Sequence, residues 1–231
     1  MKTIGLIGGM SWESTVTYYQ LLNQLARQRL GGLHSAELLL WSFDFAEIEA
    51  LQATADWDTA TERMVNAALR LAQGGAECLI ICTNTMHKMA EAVQAAVEIP
   101  LLHIADATAA AVQQAGLRQV GLLATRYTME QPFYKGRLVE KHGLKVLVPN
   151  EPERTQVHNI IYEELCQGVI RPDSKQQYLT AIEQLINRGA EGIVLGCTEI
   201  GLLINQEDVA IPVFDTTPIH AAAAIEFALA A

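Results

Sequence analysis

The sequence predicts an α/β protein of two similar open parallel-sheet domains, related by a pseudo-twofold duplication, with an active-site cleft between the domains. Three observations lead there. Short apolar runs alternate with longer amphipathic stretches, the pattern of helices that cover both faces of a parallel sheet. Segment Gly75-Ala76-Glu77-Cys78-Leu79-Ile80-Ile81-Cys82-Thr83-Asn84-Thr85 lies against Gly189-Ala190-Glu191-Gly192-Ile193-Val194-Leu195-Gly196-Cys197-Thr198-Glu199 without a gap. Ile4-Gly5-Leu6-Ile7 also matches Val120-Gly121-Leu122-Leu123, and Ile99-Pro100-Leu101-Leu102-His103 matches Ile211-Pro212-Val213-Phe214-Asp215. A vocabulary shared by all βα units would explain one such match, but not three in the same order and spacing.

The elements follow from this pattern. Candidate strands are 3–7, 37–42, 78–82, 101–103, 119–123, 145–148, 192–195 and 213–214. Each is a short apolar run bounded by turn residues. Candidate helices are 15–28, 57–73 and 88–97 in the first half, and 108–115, 133–142, 155–167 and 174–188 in the second. The clearest is 57–73, with Met64, Ala67, Ala68, Leu71 and Ala72 on one stripe. The alanine-rich end after Ala221 reads as a packed helix. Repeat logic sets the expected domains at residues 1–99 plus 210–231 and residues 100–209.

Composition narrows the class. With 50% hydrophobic and 18% charged residues over 231 positions, the chain can bury a substantial core. Its formal net charge of −10 gives no electrostatic attraction to nucleic acid or to an anionic membrane. No apolar stretch has the length of a membrane span. The start breaks at Gly8-Gly9 and reaches Ser11-Trp12-Glu13 where a leader would carry its cleavage site, so it reads as a first strand. Four cysteines form neither a disulfide framework nor a zinc pattern, which points to a reducing, cytoplasmic setting with free thiols and no metal.

Ligands of open parallel sheets bind beyond the carboxyl ends of the strands. There the chain places Gly8-Gly9-Met10, Thr83-Asn84-Thr85, Thr125-Arg126-Tyr127-Thr128 and Cys197-Thr198-Glu199. The glycine turn lacks the G-x-G-x-x-G spacing of a dinucleotide site and the lysine of a P-loop, and it suits the backbone approach of a small carboxylate. A helix start after Cys197 is expected to lower its thiol pKa and make a base of it. A cysteine after an apolar run is more commonly inert and buried. Its position opposite Thr83 in the repeat reverses that expectation. Cys82 and Cys78 are expected to face the core, because successive strand side chains alternate. His87 either tunes the turn or simply packs, and His103 and Asp215 hold matching places behind it.

At Thr83-Asn84-Thr85-Met86-His87 and Gly196-Cys197-Thr198-Glu199, the chain resembles the aspartate/glutamate racemase family, in its branch of aspartate and broad-specificity amino-acid racemases. Gly8-Gly9-Met10-Ser11 and His103-Ile104-Ala105-Asp106 add to the likeness, which spans the whole length. The resemblance implies a cofactor-independent enzyme, commonly dimeric, with one catalytic residue per domain on either side of an amino-acid substrate. On that likeness the catalytic positions are Thr83 and Cys197. The binding positions are Met10, Gln52, Asn84, Thr85, Thr125, Thr128 and Thr198, with Glu199 beside them.

Thr83 departs from the family's first cysteine. Racemisation by two groups needs an acid or base on each face of Cα, and a hydroxyl donates or relays a proton but is a poor base at neutral pH. Turnover is therefore expected to be faster from the enantiomer whose Cα–H faces Cys197, which the resemblance implies is the L form. No lysine sits in a pyridoxal-type context, so helix-start amides are left to stabilise the carbanion. Arg63, Arg126 and Arg154 are candidates for an acidic side chain. Without one of them, a neutral polar amino acid such as homoserine fits. A single-cysteine decarboxylase of malonate-type acids and a noncatalytic amino-acid-binding protein are the alternatives.

Overall fold

The computed structural model describes residues 1–230 and divides the chain into two compact units: Met1–Ile104 together with the segment from His220 on, and Ala105–Ile219. The first unit begins β1 (Ile4–Gly8), α1 (Trp12–Leu30), β2 (Leu38–Ser42), α2 (Phe45–Ala53), α3 (Trp57–Gln73) and β3 (Cys78–Ile81). A 3-10 turn over Thr85–Met89 then runs into α4 (Ala90–Ala96). The second unit follows with α5 (Ile104–Gln114), β4 (Gln119–Ala124), α6 (Arg126–Glu130), α7 (Pro132–Gly136), β5 (Lys145–Leu147), α8 (Glu153–Glu163) and α9 (Pro172–Asn187). It ends with β6 (Gly192–Gly196), a 3-10 turn over Ile200–Leu202, β7 (Val213–Asp215) and the start of α10 (Thr216–Leu229).

Both sheets are parallel, ordered β2-β1-β3 and β5-β4-β6-β7. Their registers obey the repeat. Ile4 stands opposite Cys78 as Val120 stands opposite Gly192, and Leu79 meets Leu101 in a single bridge as Ile193 meets Val213. Side chains repeat too. Gln94 Nε2 donates to the carbonyls of Val97 and Ile99 while its Oε1 accepts the Leu101 amide at 2.7 Å. Gln206 treats Val209, Ile211 and Val213 in the same way, with its last contact at 2.8 Å. Each glutamine satisfies backbone groups of the Ile-Pro segment that would otherwise need other partners.

Alternation along β3 sorts the first core into two layers. Leu79 and Ile81 pack with Met64, Ala67, Ala68 and Leu71 of α3, while Cys78, Ile80 and Cys82 pack with Tyr18 and Leu22 of α1 and Ala221, Ala224 and Ile225 of α10. Cys78 and Cys82 thus lie in the core as alternation predicts, and burial, the largest cause, pushes the Cys78 thiol up to about 12. Each large apolar side chain buried this way contributes roughly 1.5–3 kcal/mol. Among the described residues no helix is long and apolar enough to cross a membrane.

The domain limits differ from those read at 99/100 and 209/210. The segment after Pro100 stays with the first sheet, where the Leu79 amide donates to the Pro100 carbonyl at 2.9 Å. Strand β7 stays with the second sheet, beside β6. The helices after these strands change unit. Asp106 in α5 accepts from Arg137 Nε at 2.6 Å, Lys141 Nζ at 2.8 Å and His142 Nε2 at 2.7 Å, all in the second unit. Burial alone would raise its pKa, but these hydrogen bonds outweigh it and hold the carboxyl well below the usual range. From His220 on, α10 covers the first sheet, and the Lys2 amide donates to the Ala228 carbonyl at 2.8 Å.

Candidate active site

In the first unit, β1 ends in a turn that only glycine can make. Gly9 has φ +79°, and a Cβ there would lie 2.3 Å from the Phe43 carbonyl oxygen. Thr15 secures the turn, its hydroxyl accepting from the Gly9 amide at 2.8 Å and donating to the Ser11 carbonyl at 2.9 Å. Met10 is buried in the α3 layer of the core. Gln52, also buried, directs Nε2 to Met86 Sδ at 3.1 Å.

After β3 come Thr83, Asn84 and Thr85, each buried, at the mouth of the 3-10 turn. Behind them stand three histidines. His87 Nδ1 lies 2.8 Å from the Thr83 carbonyl oxygen, and the Ile104 amide donates to His87 Nε2 at 3.2 Å. A carbonyl only accepts and an amide only donates, so the imidazole is neutral with its proton on Nδ1. The His103 ring lies 4.5 Å and the His220 ring 5.8 Å from that of His87. His220 donates from Nε2 to the Leu102 carbonyl at 2.7 Å and accepts from the Tyr18 hydroxyl at 2.9 Å. Burial lowers its pKa to about 4.

In the second unit β6 delivers Cys197. Its Sγ donates to Glu199 Oε2 at 2.9 Å, and the Thr198 hydroxyl donates to the same oxygen at 2.8 Å. All three residues are buried. The thiol pKa is not lowered but pushed well above its ordinary value, first by burial, then by the Glu199 carboxylate and by Cys166. Only the Glu199 amide, bonded to the sulfur, works in the other direction. The expected helix-start effect fails because the turn after Cys197 comprises three 3-10 residues, too few aligned peptides to build a dipole that competes with desolvation. Thr125 caps α6 and accepts from the Thr128 amide at 3.4 Å, with the two hydroxyls 3.2 Å apart. The Tyr162 hydroxyl is pushed up by burial and then by repulsion from Cys197, so it lies near enough to feel that group's charge.

The structure therefore gathers Met10, Gln52, Thr83, Asn84 and Thr85 into one unit, and Thr125, Thr128, Cys197, Thr198 and Glu199 into the other. The three candidate arginines all have anionic partners on their own unit. Arg63 pairs with Glu47, Arg126 Nε lies 3.9 Å from Glu130, and Arg154 Nε lies 3.0 Å from Glu130. Sequence reasoning missed the engagement of Glu199 with the thiol, although its carboxylate two positions after a cysteine was in plain view. It also missed Gly201, where a Cβ would lie 2.3 Å from Asp215 Oδ2. Among the described residues no cluster of His, Cys, Asp and Glu could hold a metal.

Comparison with known proteins identifies the family. The model of the Asp/Glu/hydantoin racemase family matches residues 7–224. The broad-specificity amino-acid racemase RacX of Bacillus subtilis is 21% identical, over 93% of this chain and 92% of its own. A structure solved as a candidate Asp/Glu racemase from Yersinia pestis is 56% identical, covers 100% of both chains and superimposes with a TM-score of 0.93. An aspartate racemase homologue from Pyrococcus horikoshii is 38% identical over 99% of both chains, with a TM-score of 0.85. The chain belongs to the Asp/Glu/hydantoin racemase family.

Proposed function

We propose that the protein takes a proton from Cα of L-aspartate or L-glutamate through Cys197 and returns one to the opposite face through Thr83, without a cofactor. The observation that carries this reading is the Cys197–Glu199 hydrogen bond at 2.9 Å. A thiol whose pKa is raised by burial is a base only if its proton has somewhere to go, and Glu199 is the acceptor in contact. The thiol proton passes to Glu199, the thiolate takes the Cα proton, and the Thr83 hydroxyl protonates the other face while regaining a proton from solvent, to which Glu199 releases the one it received. Thr83 is held at the matching strand end of the first unit. It completes this direction but cannot start the reverse one with comparable ease, so the rate at saturating substrate is higher from L to D than from D to L; kcat/KM stays equal in the two directions because the free enantiomers have equal energy.

Asn84, Thr85, Thr125, Thr128 and Thr198 hold the α-carboxylate and ammonium groups, with Met10 and Gln52 completing the set beneath the first turn. The reading includes a homodimer in the cytoplasm, in keeping with four free cysteines. The pairing of Arg63, Arg126 and Arg154 with carboxylates of their own units favours a second reading, a racemase of neutral polar amino acids such as homoserine. One experiment separates these: incubation with L- and D-amino acids in deuterated water, followed by chiral separation and mass detection. The expected result is deuterium at Cα and, at saturating substrate, faster conversion of L-aspartate and L-glutamate than of their D forms. Equal saturated initial rates from both enantiomers remove the directional claim. Carbon dioxide release from an arylmalonate-type acid identifies a decarboxylase, and ligand-induced stabilisation without exchange identifies a binding protein.

A further inference from the structure

We propose that His87 is a positioning residue for the first-unit half of the reaction, clamping the Thr83 carbonyl to the Ile104 amide and so fixing where the Thr83 hydroxyl points. The inference rests on the racemase reading above and adds a residue to it. His87 does not reach the reacting carbon in this scheme; it acts through the peptide that joins Thr83 to Asn84.

The clamp consists of two hydrogen bonds. Nδ1–H donates to the Thr83 carbonyl at 2.8 Å and Nε2 accepts the Ile104 amide at 3.2 Å, so both ring nitrogens are engaged with backbone groups. The ring is 2% exposed and cannot move without breaking its contact with His103 at 4.5 Å. Holding a carbonyl fixes the peptide plane, which sets both the direction of the preceding side chain and that of the following amide. Thr83 needs this help more than Cys197 does. A threonine hydroxyl is a weak acid whose efficiency depends on alignment, and a misplacement of about 1 Å can cost on the order of 100-fold. At the repeat position of His87 the second unit has Gly201, with the Asp215 carboxylate against it, and no side chain grips the Cys197 carbonyl from there.

Two variants divide the clamp. In His87→Asn the amide Nδ2 stands near the place of Nδ1 and keeps the donor to Thr83. In His87→Gln the side-chain end lies near Nε2 and keeps only the grip on Ile104. The readout, with L-aspartate in deuterated water, is the ratio of D product formed to deuterium exchanged into recovered L substrate. Exchange into L reports Cys197 alone, whereas the D product also needs Thr83. A merely structural loss lowers both numbers together and leaves the ratio where it was. The expected result is a ratio at least about tenfold lower in His87→Gln, and a ratio restored to within about threefold of the unmodified enzyme in His87→Asn, with thermal unfolding followed in parallel. Equal ratios in all three proteins, or an equal fall in both variants, overturn the proposal. Absence of any exchange in the unmodified enzyme would instead overturn the racemase reading itself.

Discussion

The two half-sites share a scaffold and differ in chemistry. Thr83, Thr85, His87 and His103 of the first unit correspond through the repeat to Cys197, Glu199, Gly201 and Asp215 of the second. Where the first unit backs its hydroxyl with imidazoles, the second backs its thiol with carboxylates. The exchange is steric as well as chemical: the Asp215 carboxylate fills the space that a side chain at 201 would need. A carboxylate beside a thiol can receive its proton, while a neutral imidazole gripping a carbonyl can only hold geometry. Duplication thus kept the strand register and the glutamine braces, and in the mechanism proposed above it assigns proton removal to one side and proton delivery to the other.

The largest effect expected from breaking this asymmetry is at the reactive side chains. Cys197→Ala should abolish deuterium exchange into L-aspartate by about 10²–10⁴-fold, whereas Thr83→Ala should spare exchange and remove D product. Equal loss of both signals in the two variants would mean that the half-sites do not divide the labour. Next in size is Glu199→Gln. Without the acceptor the maximal exchange rate should fall by about tenfold or more. Removing the carboxylate's repulsion should also lower the Cys197 pKa, so the acidic limb of the kcat/KM profile, which reports the base losing its proton, moves to lower pH. A limb that stays in place would detach Glu199 from the thiol.

The smallest effect concerns the histidine side and is read in stability. His220 has a pKa of about 4 when folded against an ordinary 6.5, so the unfolded chain binds the extra proton. Its contribution is complete above about pH 6.5 and is lost as pH falls toward 4, at most about 3 kcal/mol. Urea midpoints measured from pH 7.5 to 4.5 should fall with acidity, and less steeply in His220→Gln. Identical slopes would place the acid sensitivity elsewhere.

Much of this was legible from residues alone. Strand positions, the duplication and the placement of Thr83 and Cys197 at matching strand ends rest on local patterns, and local patterns survive into the fold. Helix α2 was missed: it is short and begins at the Asp44 cap, whose carboxylate accepts the Ala46 amide at 3.1 Å, a signal easily confused with a turn. The rise in the Cys197 pKa could not be read, because burial is a property of the assembled core and not of a motif. The domain limits differ at a strand: repeat logic returned the final helix to the first sheet, as found, but carried β7 with it, because nothing in Ile211-Pro212-Val213 says that this strand stays beside β6.

The reciprocal use of α5 and α10 reorders the chain in a useful way. Each repeat half ends in a helix that serves the other half's sheet, so the first unit is assembled from two separate stretches of polypeptide while the second is continuous. The ends are already tied together, with Lys2 bonded through its amide to Ala228 and through Nζ to the Ala230 carbonyl at 2.9 Å. A circular permutant that joins the termini by a short linker and reopens ahead of α5 would encode each unit as an uninterrupted block, and would let the Cys197-bearing and Thr83-bearing halves be produced as separate polypeptides.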